Sequence, residues 1–325
     1  MKTLYRIQLE LISPIVTAVM GDTMFGHICW GIYYSKGEEV LNEFLQSYET
    51  DPPLILSDGF PEGFLAKPML NPYLPTSLEY DDYKVNKKYG KRKYVENKLL
   101  IRDEFRFSEE TLFDYWNKEK SSQEKIQKMI SVSRIHNSIN RISGTVEKGQ
   151  LYEVTENYFP QNKETSKQDK VEKEKKANIM DLYVVSSFDE DKVKSLIQRG
   201  IEGGYGADKS TGKGQMELYD IKKITPPTKG NRYVALGAFV PENIETVQDL
   251  RANVATKYGK LGGHFASGKN PFKKPIIMYQ AGASFRSEKD IQYIGTLLKG
   301  IHSDKRIRHY AYCPVIPYQE EENHD

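Results

Sequence analysis

The sequence predicts an α+β protein of two tandem sandwiches, each running strand, helix, strand. Three observations carry that expectation. Residues 3–11 alternate with period two and lead into a stretch of helical spacing. Strand and helix patterns then alternate along both halves of the chain. Pro226, Pro227 and Gly230 interrupt the pattern once, after which it starts afresh. With 325 residues, 38% hydrophobic and 28% charged, the chain is long enough for roughly two ordinary domains. Their expected extents are 1–225 and 226–325.

The elements follow in order. Thr3, Tyr5, Ile7, Leu9 and Leu11 oppose Arg6, Gln8 and Glu10, the signature of a half-buried strand. Asp22 stands as N-cap to a helix whose apolar face is Phe25, Ile28, Cys29 and Ile32. Met180 to Ser187 reads as a strand, and Asp189 to Arg199 as a helix turning Val193, Leu196 and Ile197 inward. A glycine-rich turn and a strand from Gln215 to Ile224 complete the first half. In the second half, strands are expected at Tyr233–Val240, Pro275–Phe285 and His309–Ile316. Helices are expected at Thr246–Tyr258 and Ile291–Ile301. This order, twice over, suggests two ferredoxin-like or RRM-type domains.

Composition narrows the functional classes. Lys and Arg number 47 against 45 Asp and Glu, a net charge of +2, which excludes a histone-like polycation and leaves local charge to decide. No run approaches the ~20 apolar residues of a membrane-spanning helix, and no signal peptide or membrane partner is expected. The cytoplasm is the expected location. Cys29 and Cys313 lack metal-ligand or redox spacing, and no histidine pair stands four apart, so no disulfide framework, metal or cofactor is expected.

Charge is instead concentrated. Lys84, Lys87, Lys88, Lys91, Arg92 and Lys93 place six cations in ten residues without an acid. Tyr83, Tyr89 and Tyr94 punctuate the run. Cations interleaved with aromatic rings suit a single strand of nucleic acid, neutralising the backbone and stacking on the bases; the same run could be a solvated loop. Residues 160–177 carry six Lys and four acids with almost nothing apolar, and read as a flexible charged loop.

Two further segments are candidates for binding. Residues 203–214 hold five glycines in twelve. Gly203, Gly204, Gly206 and Gly214 would let a backbone turn tightly around an anion, with Lys209, Ser210 and Lys213 beside it. A nucleotide P-loop is excluded: five residues separate Gly206 from Gly212, and Gly214 stands where Ser or Thr would hold magnesium. A dinucleotide fingerprint fails for want of its third glycine. A surface turn with no ligand has the same composition. Arg134, His136, Asn137, Asn140 and Arg141 crowd around Ile135 and Ile139 and could clamp RNA, or form a solvated strand edge. His27, near Trp30 on the first helix, reads as a satisfied core residue.

Four blocks together resemble RAMP-superfamily proteins of type III-A CRISPR effector complexes. They are Gly21-Asp22-Thr23-Met24-Phe25-Gly26, Ser57-Asp58-Gly59-Phe60-Pro61 before Lys67-Pro68, His136 to Arg141 with Leu151-Tyr152-Glu153, and the glycine segment. Their order is the family's, and the likeness is to the subunit family that caps the guide RNA. The resemblance implies two RRM-like (RAMP) domains with a basic β-hairpin thumb at about 80–107. It implies no catalysis, and RNA contacts through the glycine segment, Lys67, His136, Asn137 and Arg141 to the 5′ handle of the guide (crRNA). Its implied partners are the large polymerase-like Csm subunit and the backbone RAMP Csm subunit. Two other readings remain: a metal-independent RAMP endoribonuclease that processes repeat RNA, using His136 or His27, and an RRM protein unrelated to CRISPR.

Overall fold

The computed structural model describes residues 2–72, 87, 89–101, 105–119, 129–139, 142–159 and 178–321. The expected charged loop at 160–177 lies outside them. The first half contains β1 (Thr3–Leu11), α1 (Gly21–Lys36), α2 (Glu38–Gln46), β2 (Leu54–Pro61), β3 (Phe64–Ala66) and β4 (Tyr94–Glu96). It continues with α3 (Asn97–Ile101), β5 (Arg106–Phe107), α4 (Glu109–Lys118), β6 (Ile130–Ile139) and β7 (Val146–Tyr158). It closes with β8 (Ile179–Ser186), α5 (Glu190–Ile201) and β9 (Met216–Ile224).

The first sheet has the order β2-β8-β1-β9 with every neighbouring pair antiparallel. With α1 and α5 as its connecting helices, this is the ferredoxin-like arrangement the sequence predicts. The alternation in β1 puts Tyr5, Ile7 and Leu9 in the core. Arg6, on the opposite face, pairs with the buried Asp181 at 2.9 Å. The two helices approach closely because glycine permits it. A Cβ at Gly31 would lie 2.8 Å from the Arg199 carbonyl oxygen, and one at Gly200 would lie 2.8 Å from Ile28 Cγ1.

Helix caps divide the expected from the unexpected. Asp189 caps α5, its Oδ1 accepting the Lys192 N–H at 2.8 Å. Asp22 does not cap α1. The N-cap position is Met20, and the Gly21 N–H instead donates to Asp58 Oδ1 on β2 at 2.9 Å. A carboxylate from the neighbouring strand satisfies the helix terminus and frees Asp22, which pairs with Lys257 at 3.0 Å.

The second half comprises β10 (Arg232–Ala235), β11 (Gln248–Arg251), β12 (Val254–Lys257), β13 (Ile276–Tyr279), β14 (Ser284–Arg286), β15 (Tyr293–Leu298) and β16 (His309–Glu320). Its main sheet has the order β11-β14-β10-β16-β15, with β5 added parallel to β16. The two sheets share one core. Phe25 of α1 stacks on Tyr310 of β16 at 4.5 Å, and the Tyr310 hydroxyl accepts the Leu56 N–H at 2.7 Å.

The helices expected at 246–258 and 291–301 are strands instead. In the first, Val247, Leu250 and Val254 imitate a helical stripe, but Val254 is exposed and Asp249 takes a left-handed φ of 46°. That conformation is set from a distance. Arg232, fully buried, donates to the Asp249 carbonyl at 2.7 Å and to its carboxylate. In the second, Gly295 lies so close to β16 that a Cβ would fall 2.1 Å from the Ala311 oxygen, and strand pairing overrides the apolar spacing.

The basic stretch begins in the connection of a short hairpin, since β3 pairs with β4. Residues 80–86, 88 and 102–104 lie outside the described set. The remainder folds back onto the body, with Val95, Leu99, Leu100 and Phe107 buried. Among the described residues no helix is long and apolar enough to cross a membrane.

Arg232 also donates to Ser284 Oγ at 2.8 Å and faces Glu320, which Arg251 holds at 2.6 Å. Breaking a buried ion network from one side costs about 3–5 kcal/mol. Arg232→Met is therefore expected to lower the urea midpoint of unfolding by a corresponding amount. A midpoint equal to that of the unmodified chain would show that the network is dispensable.

Candidate nucleic-acid interface

The glycine segment leaves α5 with the Gly204 N–H donating to the Ile201 carbonyl. Gly203, Gly204, Gly206, Gly212 and Gly214 all have left-handed φ values between 67° and 94°. Their use differs from the sequence expectation of a row of open N–H donors. Tyr205 N–H donates to Gly214 O and Gly214 N–H to Pro14 O, both at 2.8 Å. Gly206 N–H donates to His27 Nε2, and Ala207 N–H to Thr17 Oγ1, both at 3.0 Å. A Cβ at Gly214 would meet the Tyr205 oxygen at 2.0 Å, and one at Gly206 would meet Thr17 Cβ at 2.6 Å. These glycines therefore let the loop lie against residues 13–20, and most of its donors are consumed there, at His27 or within the loop itself.

Tyr205 fixes the loop. It is fully buried and stacks on His27 at 5.0 Å, while its hydroxyl accepts the Met20 N–H and donates to the Ala18 carbonyl, both at 2.9 Å. What remains outward is the short 3-10 turn Lys209–Thr211. Among the described residues the N–H groups of Asp208, Lys209 and Ser210 have no acceptor, and the Lys209 and Ser210 side chains are exposed beside them. Successive N–H groups after a left-handed residue, here Asp208 at φ 57°, form an anion-binding nest.

Lys213 is engaged elsewhere. Its Nζ is 2.7 Å from Glu156 Oε1 on β7, and Arg134 Nε on β6 is 3.0 Å from Oε2. The Lys213 ammonium first, then Arg134, hold the Glu156 carboxyl below its ordinary range. This ion pair ties the loop to the β6–β7 hairpin. On that hairpin His136 lies opposite Tyr152 and stacks on it at 5.6 Å. Its Nε2 is enclosed and has no hydrogen-bond partner among the described residues. Asn137 is exposed on the other face, because successive strand residues point oppositely. His136 and Asn137, read as one group from sequence, therefore cannot meet one ligand face. Arg141 lies outside the described residues.

Lys67 is enclosed, with Nζ 2.6 Å from Glu109 Oε1. In the basic stretch, Lys84 and Lys88 are outside the described residues, Lys87, Lys91 and Lys93 are exposed, and Arg92 is half-buried. The Arg92 guanidinium lies over the rings of Tyr89 and Trp116 at 4.4 and 4.2 Å. Tyr89 is buried and donates to Asn117 at 2.7 Å, so this ring serves packing and not base stacking.

Sequence reading missed Glu156, Thr17 and Tyr205. Each acts through a partner more than 50 residues away, and Tyr205, although inside the glycine segment, carries no charge or turn signal of its own. Burial governs the titratable groups around α1. His27 is pushed down to about 4 by desolvation, assisted by Lys209. His309 falls to about 4 by desolvation and then Lys273. Burial raises Asp58 to about 7 against the Gly21 N–H that it accepts.

No protein-family model and no curated protein matches the chain. Its fold does match solved structures. A chain of the Csm1-Csm4 cassette crystallised with pppApA aligns over 98% of this chain and 100% of its own, with TM-score 0.54 and 15% identity. A chain of the Csm3-Csm4 subcomplex of the type III-A CRISPR-Cas interference complex aligns over 98% and 99%, with TM-score 0.54 and 13% identity. This chain thus has the mixed α+β fold of these solved chains.

The fold keeps His27 and His309 neutral, so the stability they contribute is present above pH 6.5 and is lost as pH falls towards 4. The thermal midpoint should drop between pH 7 and pH 5. His27→Gln, which retains an acceptor for Gly206 without a titration, should reduce that drop. Identical midpoints for both proteins at both pH values would contradict the enclosed His27.

Proposed function

We propose that this chain is a non-catalytic, RNA-binding RAMP subunit of a type III-A CRISPR interference complex. In this reading it holds the 5′ handle of the guide RNA and links a large polymerase-like subunit to the backbone RAMP filament. The observation that carries the reading is the whole-length likeness to chains found in both a Csm1-Csm4 and a Csm3-Csm4 assembly. The outward turn at Asp208–Ser210, with Lys209 beside it, supplies backbone donors and a cation for a phosphate. Arg134 and the stacked pair His136 and Tyr152 join it through Glu156 and Lys213.

The placement of His27 supports the absence of catalysis. Its Nε2 already accepts the Gly206 N–H, and the imidazole is neutral through the physiological range, so it has no free site for general base work. His136 is the remaining candidate for the endoribonuclease reading.

Lys209→Ala with Ser210→Ala is expected to weaken guide-handle RNA binding about three- to tenfold at 0.1 M salt. The salt slope should become shallower by about 0.7, the contribution of one neutralised phosphate. Fluorescence anisotropy with the unmodified and variant chains measures both. Co-expression with Csm1-type and Csm3-type subunits should recover a complex containing guide RNA. Incubation with repeat RNA in chelator should leave the RNA intact; cleavage that disappears in His136→Ala would replace this reading with the endoribonuclease.

A further inference from the structure

A second surface, carried by the other half of the chain, adjoins α1. From Ala252 to Ser287 there is no Asp or Glu, against six cations: Lys257, Lys260, Lys269, Lys273, Lys274 and Arg286. In a chain of net charge +2 this is a marked local excess. The connection between β12 and β13 is stapled at its base. Leu261 N–H donates to Pro271 O at 2.7 Å and Lys273 N–H to Gly259 O at 2.8 Å.

The connection is seated on α1 through a ring. Gly262 and Gly263 lie against the Trp30 indole, where a Cβ at either would fall 2.6 Å from the ring system. Trp30 stacks on Tyr34 at 5.5 Å and meets His264 edge-on at 5.4 Å. Trp30 is therefore covered and acts as the tether. The outer layer is open: Tyr34 is 68% exposed, and His264 is also exposed. Lys257 and Lys273 serve the fold, pairing with Asp22 and donating to the Arg308 carbonyl. Lys260 and Lys269 are exposed and have no acidic partner among the described residues.

His27, Trp30 and Tyr34 share one stripe of α1, and seven residues of helix span about 10 Å. The stripe holds the glycine loop through His27 at one end and the tether through Trp30 in its middle, and it ends at Tyr34. Above Gly26 nothing stands within 4 Å of where a Cβ would be. A strand leaving the Lys209 turn can therefore run along α1 to Tyr34 and His264. Open aromatic faces beside the unpaired Lys260 and Lys269 are the chemistry of single-strand binding, and the nearby carboxylates, Glu38 and Asp304, are held by Arg306, whose guanidinium lies 5.4 Å over the Phe265 ring.

We propose that Tyr34, His264, Lys260 and Lys269 form a stacking platform for single-stranded RNA adjoining the segment held at the Lys209 turn. The inference rests on the RNA-binding reading above and extends its footprint onto the second half of the chain. Stacking is tolerant of base identity, so the platform adds affinity without sequence preference.

The test uses the full chain and a labelled single-stranded RNA of about ten nucleotides in anisotropy titrations. Tyr34→Ala with His264→Ala should weaken binding about five- to tenfold. Lys260→Ala with Lys269→Ala, which removes no packing, should make the salt slope shallower by about 1.4. 4-Thiouridine in the RNA should crosslink to residues 258–274. Unchanged binding in both pairs, with Lys209→Ala still weakened, overturns the platform and leaves the first reading intact. No measurable RNA binding by the unmodified chain overturns both. Variants that bind RNA normally but fail to co-purify with a Csm1-type or Csm3-type subunit would make the surface a protein interface and overturn the proposal.

Discussion

The hydroxyl of Tyr205 bridges two backbone groups of the segment that feeds α1, and the placement of the interface depends on it. It accepts from Met20 N–H and donates to Ala18 C=O while the ring stacks on His27. A buried hydroxyl satisfied on both sides is held in one geometry, because leaving either partner unpaired in the core costs about 1–3 kcal/mol. The glycine loop is thereby fixed to the N-terminal end of the first helix. Only its tip, Asp208 to Thr211, is left to face outward.

That constraint explains the economy of the loop. Glycine is needed here for close approach of chain to chain: at Gly214 and Gly206 any side chain would overlap Tyr205 or Thr17. The anion-binding capacity therefore shrinks from a whole glycine-rich segment to three N–H groups and one exposed lysine. Lys213 turns inward to Glu156 and couples the loop to the β6–β7 hairpin. The hairpin and the loop then present one surface, although they lie far apart in sequence.

The two halves are joined by a common core and by charge. Phe25 against Tyr310 and the Asp58 N–H on the Leu236 carbonyl bind β2 and α1 to the second sheet. Asp58, on the same strand, caps α1, while Asp22 reaches across to Lys257. The first helix is thus gripped from both sides, and surfaces on either half can share it as a common wall.

In the first half β1, α1, β8, α5 and β9 were legible in the sequence because they obey local rules. Period-two alternation marks β1, Asp189 caps α5, and the apolar stripe of α1 is continuous. Such signals are carried by residues a few positions apart. In the second half the strands β10 and β16 were legible too, but the two expected helices were not there, since Val247, Leu250 and Val254 mimic a helix. Only Arg232, in a different strand, holds Asp249 left-handed and Gly295 against β16 excludes a side chain. The site divides in the same way. Its composition, glycines beside lysines, was readable along the chain. Which donors are spent internally, which lysine is paired, and which face of β6 carries His136 depend on partners brought together by folding. Burial and pairing are properties of neighbours in space, and the linear order of residues does not contain them.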